Sequence, residues 1–138
     1  MRYKSKPLLL VEDDCVDAMT VRRALKELHV SNPLEHVENG EEALDYLCHS
    51  DRERPCLILL DLNMPVMNGF EFLQEAKSII ELRCIPVVAL TTSDEQRDKV
   101  ESFQLGVAGY MRKPVEYVHF VEMMRTIDTY WAISESPL

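Results

Sequence analysis

Leu57-Ile58-Leu59-Leu60 is a run of four aliphatic residues closed by the carboxylate of Asp61. A strand with no polar residue on either face must be covered on both, so such a run belongs inside a parallel sheet between two helical layers. It has companions. Leu8–Val11 and Pro86–Leu90 are equally apolar, the second with its proline at the first position, where the missing N–H is tolerated. Val107–Met111 is a shorter candidate, and Leu34–Val37, interrupted by Glu35 and His36, is the weakest, as an edge strand would be.

Helical patterns fill the intervals. Ala18, Val21, Leu25 and Leu28 recur at helical spacing. Asn39-Gly40-Glu41-Glu42 and Asn68-Gly69-Phe70-Glu71 each set an N-cap asparagine three residues before a glutamate. They open helices that turn Ala43, Leu44 and Leu47, and then Phe72, Leu73, Ala76 and Ile80, inward. Ser93-Asp94-Glu95-Gln96 is the expected cap of a fourth helix, with Val100 and Phe103 as its stripe and Gly106 as its stop. Phe120, Val121, Met124, Ile127 and Trp131 mark the fifth. Five strands alternating with five helices predict an α/β fold, a flavodoxin-like doubly wound parallel sheet of order 2-1-3-4-5. Ligands of such sheets bind at the carboxyl ends, here between the first and third strands.

A length of 138 residues suits one domain, expected to span 1–138 with its core at about 6–131 and a short tail at 132–138. That tail is too short for an output module. Fifteen Lys and Arg against 24 Asp and Glu leave a net charge of −9, which disfavours nucleic acid and anionic lipid. No apolar stretch approaches the roughly 20 residues of a membrane span. Cys15, Cys48, Cys56 and Cys84 form no C-x-x-C pair, and no export signal precedes them. Reduced thiols and a cytoplasmic location are the expectation.

The carboxyl ends carry the chemistry. The first strand runs into Glu12-Asp13-Asp14, the third into Asp61-Leu62-Asn63, the fourth into Thr91 and the fifth into Lys113. Singly, each residue has an ordinary explanation: the acids could cap the first helix, Asp61 could turn the chain and Lys113 could be a surface lysine. Their convergence on one edge is what those explanations leave out, since clustered carboxylates repel unless a cation lies among them. With no His or Cys in the cluster, the cation would be a hard one, Mg²⁺ rather than Zn²⁺. Carboxylates around such an ion, with a lysine and a threonine hydroxyl opposite, suit phosphoryl transfer. Asp61, central in the strand order, is the best candidate for a carboxylate nucleophile.

Taken together, Leu9-Leu10-Val11-Glu12-Asp13-Asp14, Leu59-Leu60-Asp61-Leu62-Asn63-Met64-Pro65 with Met67 and Gly69, Leu90-Thr91-Thr92-Ser93, and Lys113-Pro114 strongly resemble the receiver domain of two-component response regulators. The resemblance extends over about residues 6–131 and is nearest to stand-alone regulators, including those paired with phytochrome-type kinases. It implies that Asp61 is the phosphoacceptor, served by a sensor histidine kinase. It implies that Mg²⁺ is held by Asp13 and Asp61 directly, by Glu12 through water and by the backbone carbonyl of Asn63. Thr91 and Lys113 would engage the phosphoryl oxygens, and Tyr110 would be the aromatic that reorients on activation. The Lys113–Pro114 peptide would be cis. Output would pass to an unknown downstream protein or onward by phosphorelay, with a homodimer through the helix 4–strand 5–helix 5 face as one route. Cys15 departs from the pattern, standing where similar sequences commonly have proline, and is read as structural or kinase-facing.

Three rivals remain in view. A haloacid-dehalogenase-like phosphatase would need a second aspartate two residues after its nucleophile, where this chain has Asn63, unable to protonate a leaving group. A flavodoxin-like FMN binder would not place Glu12-Asp13-Asp14 against a phosphate. A non-phosphorylated pseudo-receiver scaffold would have no need of the intact acid, threonine and lysine set. A regulator that accepts a phosphoryl group and is not a turnover enzyme is the reading that uses every residue.

Overall fold

A computed structural model describes residues 6–49, 51–64, 66–92 and 95–134. Its strands are β1 (Leu8–Val11), β2 (Leu34–Val37), β3 (Leu57–Leu60), β4 (Val87–Thr91) and β5 (Gly109–Arg112). Its helices are α1 (Cys15–Glu27), α2 (Gly40–Cys48), α3 (Gly69–Lys77), α4 (Gln96–Gln104) and α5 (Tyr117–Ile133), with a 3₁₀ turn at Ile80–Leu82. All strand pairs are parallel and the order is β2-β1-β3-β4-β5, as the alternation of patterns predicts.

The alternation of side chains along each strand divides the core in two. Leu9, Val11, Ile58, Leu60, Val87 and Ala89 point to one face and pack with Ala43, Tyr46 and Leu47 of α2 and Phe72, Leu73 and Ala76 of α3. Leu8, Leu10, Leu57, Leu59, Val88 and Leu90 point to the other, against Ala18, Val21 and Leu25 of α1 and Phe120, Val121, Met124 and Ile127 of α5. Both faces of the central strands are buried, which is why β1 and β3 carry no polar residue and β4 carries one, Thr91, at its end.

Helix ends follow local chemistry. The Asn68 side chain accepts from the Glu71 N–H while Glu71 reaches back to the Asn68 N–H, so α3 opens on a complete capping box. Asn39 accepts from the Glu42 N–H at the start of α2. Gly106, at φ +96°, closes α4, with Gly106 N–H donating to Phe103 and Val107 N–H to Ser102, the pattern that favours glycine.

Four local expectations are corrected. α3 ends at Lys77, so Ile80 falls in the 3₁₀ turn and is exposed, while Leu82 and Ile85 enter the core. On α4, Val100 and Phe103 are exposed and Ser102 is buried, its hydroxyl donating to the Asp98 carbonyl at 2.7 Å. Two apolar residues three apart in an otherwise polar helix are too weak a stripe to fix its rotation. β4 and β5 begin one and two residues later than the apolar runs suggest, which puts Thr91 inside β4. No peptide bond among the described residues is cis, so Lys113–Pro114 is trans, the form favoured at X–Pro bonds by about 0.5–1 kcal/mol. The expected cap residues Ser93 and Asp94 lie outside the described residues.

Candidate functional site

Three residues of the crevice are each pinned by a ladder bond that carries the sheet one step past a strand. Glu12 N–H donates to Val37 at 3.0 Å, Asp61 N–H to Val11 at 2.9 Å and Lys113 N–H to Thr91 at 2.8 Å. Strand pairing thus fixes the backbone of the lysine and both central acids independently of their side-chain contacts. Gly69 lets α3 begin close behind them: a Cβ there would lie 2.7 Å from the Asp61 carbonyl oxygen and 2.7 Å from the Leu62 Cα.

The three acids after β1 divide their roles. Asp14 caps α1, its carboxylate accepting from the N–H groups of Val16 at 2.8 Å and Asp17 at 3.1 Å. Glu12 and Asp13 turn toward Asp61 instead, and carboxylate oxygens of all three lie within 4.8 Å of one another. Glu12 and Asp61 are buried whereas Asp13 is exposed. Three oxygen donors with one side open to water fit a hard divalent cation.

Lys113 closes the opposite wall. Its ammonium lies 2.7 Å from Glu12 Oε1 and 3.0 Å from Asp17 Oδ2. Thr91 at the end of β4 is fully buried, and Tyr110 on β5 is half-buried against the α2 and α3 side of the core. Asn63 is exposed, its N–H 3.4 Å from Asp61 Oδ1.

Burial governs the electrostatics. It pushes the Glu12 carboxyl up to about 7, against the hydrogen bond and charge of Lys113 and with the charge of Asp61. It raises Asp61 too, opposed by Lys113 and by hydrogen bonds from Glu12 and the Asn63 backbone. Burial alone would lower Lys113, but its bond to Glu12 and the charges of Glu12 and Asp61 outweigh that and hold it above its usual range. One ammonium facing three carboxylates leaves excess negative charge, which a divalent cation would neutralise.

The sequence motifs thus converge as read: Glu12, Asp13, Asp61, Thr91 and Lys113 share one end of the sheet, with Asn63 and Tyr110 at its margins. Two residues escaped that reading. Asp17 supplies the second carboxylate to Lys113, and its place in the first turn of α1, four residues after Asp13, was the available signal. His36 on the edge strand sets Nε2 2.7 Å from the Glu12 carbonyl oxygen, steadying the acidic loop from the side. None of the four cysteines is in a disulfide, and Cys15 is exposed at the first position of α1. No described helix is long and apolar enough to cross a membrane.

Comparison with known proteins agrees with the geometry. The family described as the response regulator receiver domain matches residues 8–125. The probable methanogenesis regulatory protein FilR2 of Methanothrix harundinacea is 37% identical over 127 residues, covering 90% of this chain and 82% of that protein. Response regulator Rcp1 of Synechocystis is 36% identical over 130 residues, 91% of this chain and 88% of Rcp1. Its Mn²⁺-bound crystal structure superposes with a TM-score of 0.87 over 96% of this chain and 99% of that one. The phosphorylated cyanobacterial phytochrome response regulator RcpA superposes with a TM-score of 0.90 at 34% identity, over 97% and 99% of the two chains. Sheet order, the acidic crevice and these likenesses together place the chain in the response regulator receiver domain family, the phosphoacceptor proteins of two-component signalling.

Proposed function

We propose that Asp61 is the phosphoacceptor, that Glu12, Asp13, Asp61 and the backbone carbonyl of Asn63 hold Mg²⁺, and that Thr91 and Lys113 receive the phosphoryl oxygens. The observation that carries this reading is the position of Asp61: buried at the end of the central strand, within 4.8 Å of two further carboxylates and in the field of Lys113. In the transfer, the N–P bond of a kinase phosphohistidine breaks and the imidazole nitrogen keeps the electron pair. A bond forms between phosphorus and an Asp61 carboxylate oxygen. Bound Mg²⁺ would supply charge neutralisation between the carboxylates and the incoming phosphoryl oxygens.

The protein acts in the cytoplasm on this reading, taking its phosphoryl group from a sensor histidine kinase, and the likeness to RcpA favours a phytochrome-type one. Kinase contact falls on α1 and the loop after Lys113, which ring the crevice. Tyr110 is the residue that reorients when Thr91 is drawn to the phosphoryl group. Output goes to a downstream protein or a second copy through α4, β5 and α5, where Val100, Phe103, Tyr130 and Ile133 are exposed apolar side chains. Trp131, on α5, contributes to its own core, half-buried against the cluster on the α1 and α5 side of the sheet, with the Tyr130 ring edge-on at 4.7 Å. The test is labelling by a small phosphodonor with and without Mg²⁺. Label that requires the ion, is lost to hydroxylamine and disappears in Asp61→Asn supports the assignment; label that persists in Asp61→Asn overturns it.

A further inference from the structure

The ammonium of Lys113 is shared. One hydrogen bond goes to Glu12, inside the crevice, and a second goes to Asp17, on the first turn of α1 and 42% exposed by its side chain. Among the described residues these are its ion pairs; Asp61 acts on it through space. Lysine offers three N–H donors, and two are committed to carboxylates. Asp17 is no part of the acidic cluster: its backbone N–H donates to the Asp14 cap, and its carboxylate is turned to the lysine. A phosphoryl group on Asp61 would present several anionic oxygens to the same ammonium. Asp17 and the phosphoryl group are therefore competitors for one cation.

From this arrangement we infer that Asp17 is a positioning residue that holds Lys113 toward α1 and so sets how readily Asp61 gains and retains a phosphoryl group. The inference rests on the assignment of Asp61 as phosphoacceptor. A half-exposed ion pair contributes about 1 kcal/mol at most, which at about 1.36 kcal/mol per decade is about a fivefold effect. Releasing Lys113 from Asp17 should favour the phosphorylated state by that factor. Asp17 is thus a tuning element, and the lysine links the phosphoryl site to the first turn of α1.

The experiment measures labelling by acetyl phosphate, and affinity for beryllofluoride as a phosphoryl mimic, on four proteins at fixed Mg²⁺. Wild type reports whether Asp61 accepts the group at all. If it does not, the functional assignment fails and the role of Asp17 falls with it. Asp17→Asn should bind beryllofluoride about fivefold more tightly and label faster. Asp17→Glu, with a carboxylate on the same turn, should return both toward wild type. Asp14→Asn removes one charge from that turn while keeping a side chain that caps as well, and it does not touch Lys113. A wild-type value there assigns the effect to the lysine. If Asp14→Asn gained as much as Asp17→Asn, a general field effect would replace the proposal. If Asp17→Asn lost thermal stability with unchanged beryllofluoride affinity, or bound it more weakly, the proposal would be overturned.

Discussion

Lys113 Nζ lies 2.7 Å from Glu12 Oε1, joining the end of β5 to the end of β1 across 101 residues of sequence. Both side chains are nearly enclosed, at 11% and 2% exposure. An ion pair in such a setting does little for net stability, yet losing one partner strands the other charge. Lys113→Met should therefore lower the stability of the metal-free protein by about 1–3 kcal/mol. Adding Glu12→Gln should restore most of it. Urea unfolding of the two single variants and the double variant measures the coupling, and purely additive losses would count against it.

The Glu12 carboxyl, raised by burial to about 7 from an ordinary 4.5, gives the metal-free protein an unusual pH profile. Between those values the folded chain holds a proton that the unfolded chain has released, so stability falls as pH rises through that window. The loss is on the order of 3 kcal/mol at full shift, and Asp61, also raised, adds in the same direction. Lys113 is raised above the lysine range and contributes no slope at these pH values. Glu12→Gln should flatten the profile. Divalent-ion affinity should rise with pH across the same interval, because the ion and the proton compete for these oxygens.

Val66 carries a second cost. It stands at φ +66° in the loop between β3 and α3, a left-handed conformation that a β-branched residue adopts at a cost of about 1–2 kcal/mol, and its side chain is 74% exposed. Val66→Gly relieves that strain and gives back part of the gain as unfolded-state entropy. A net stabilisation of about 0.5–1 kcal/mol is expected by thermal unfolding.

Contact with the kinase is best tested on α1 at Met19. Arg23, on the same helix, stacks its guanidinium 4.0 Å from the centre of the Tyr117 ring, so altering it would disturb α1 against α5. Met19 is exposed. Met19→Asp should slow transfer from the histidine kinase at least about tenfold, the scale of one disrupted apolar contact, while labelling by a small phosphodonor stays at the wild-type rate. Equal loss in both assays would place the damage in the crevice.

The fold was legible because burial dictates composition: a strand covered on both faces cannot hide its aliphatic run, and Leu57–Leu60 announced the sheet. Asp61 was legible for a related reason, as a carboxylate at the end of such a run. What the sequence hid depended on rotation and on distant contact. Val100 and Phe103 have helical spacing, yet the polar remainder of α4 let Ser102 face inward. His29, at φ +57°, closes α1 where glycine would have flagged the stop, with Val30 N–H donating to Leu25. Asp14, Asp13 and Glu12 look alike in sequence, and only the helix axis separates the cap from the crevice. The Asp17–Lys113 pair spans 96 residues, and no local pattern encodes it.

The most direct measurement traps the acceptor itself. Borohydride reduces an acyl phosphate to an alcohol, so the phosphorylated protein, reduced and digested, should yield homoserine at position 61, with Glu12, Asp13 and Asp17 unchanged. The modification should vanish when Mg²⁺ is withheld during phosphorylation. Reduction at Asp13 or Glu12, or phosphate retained elsewhere with position 61 intact, would contradict the account.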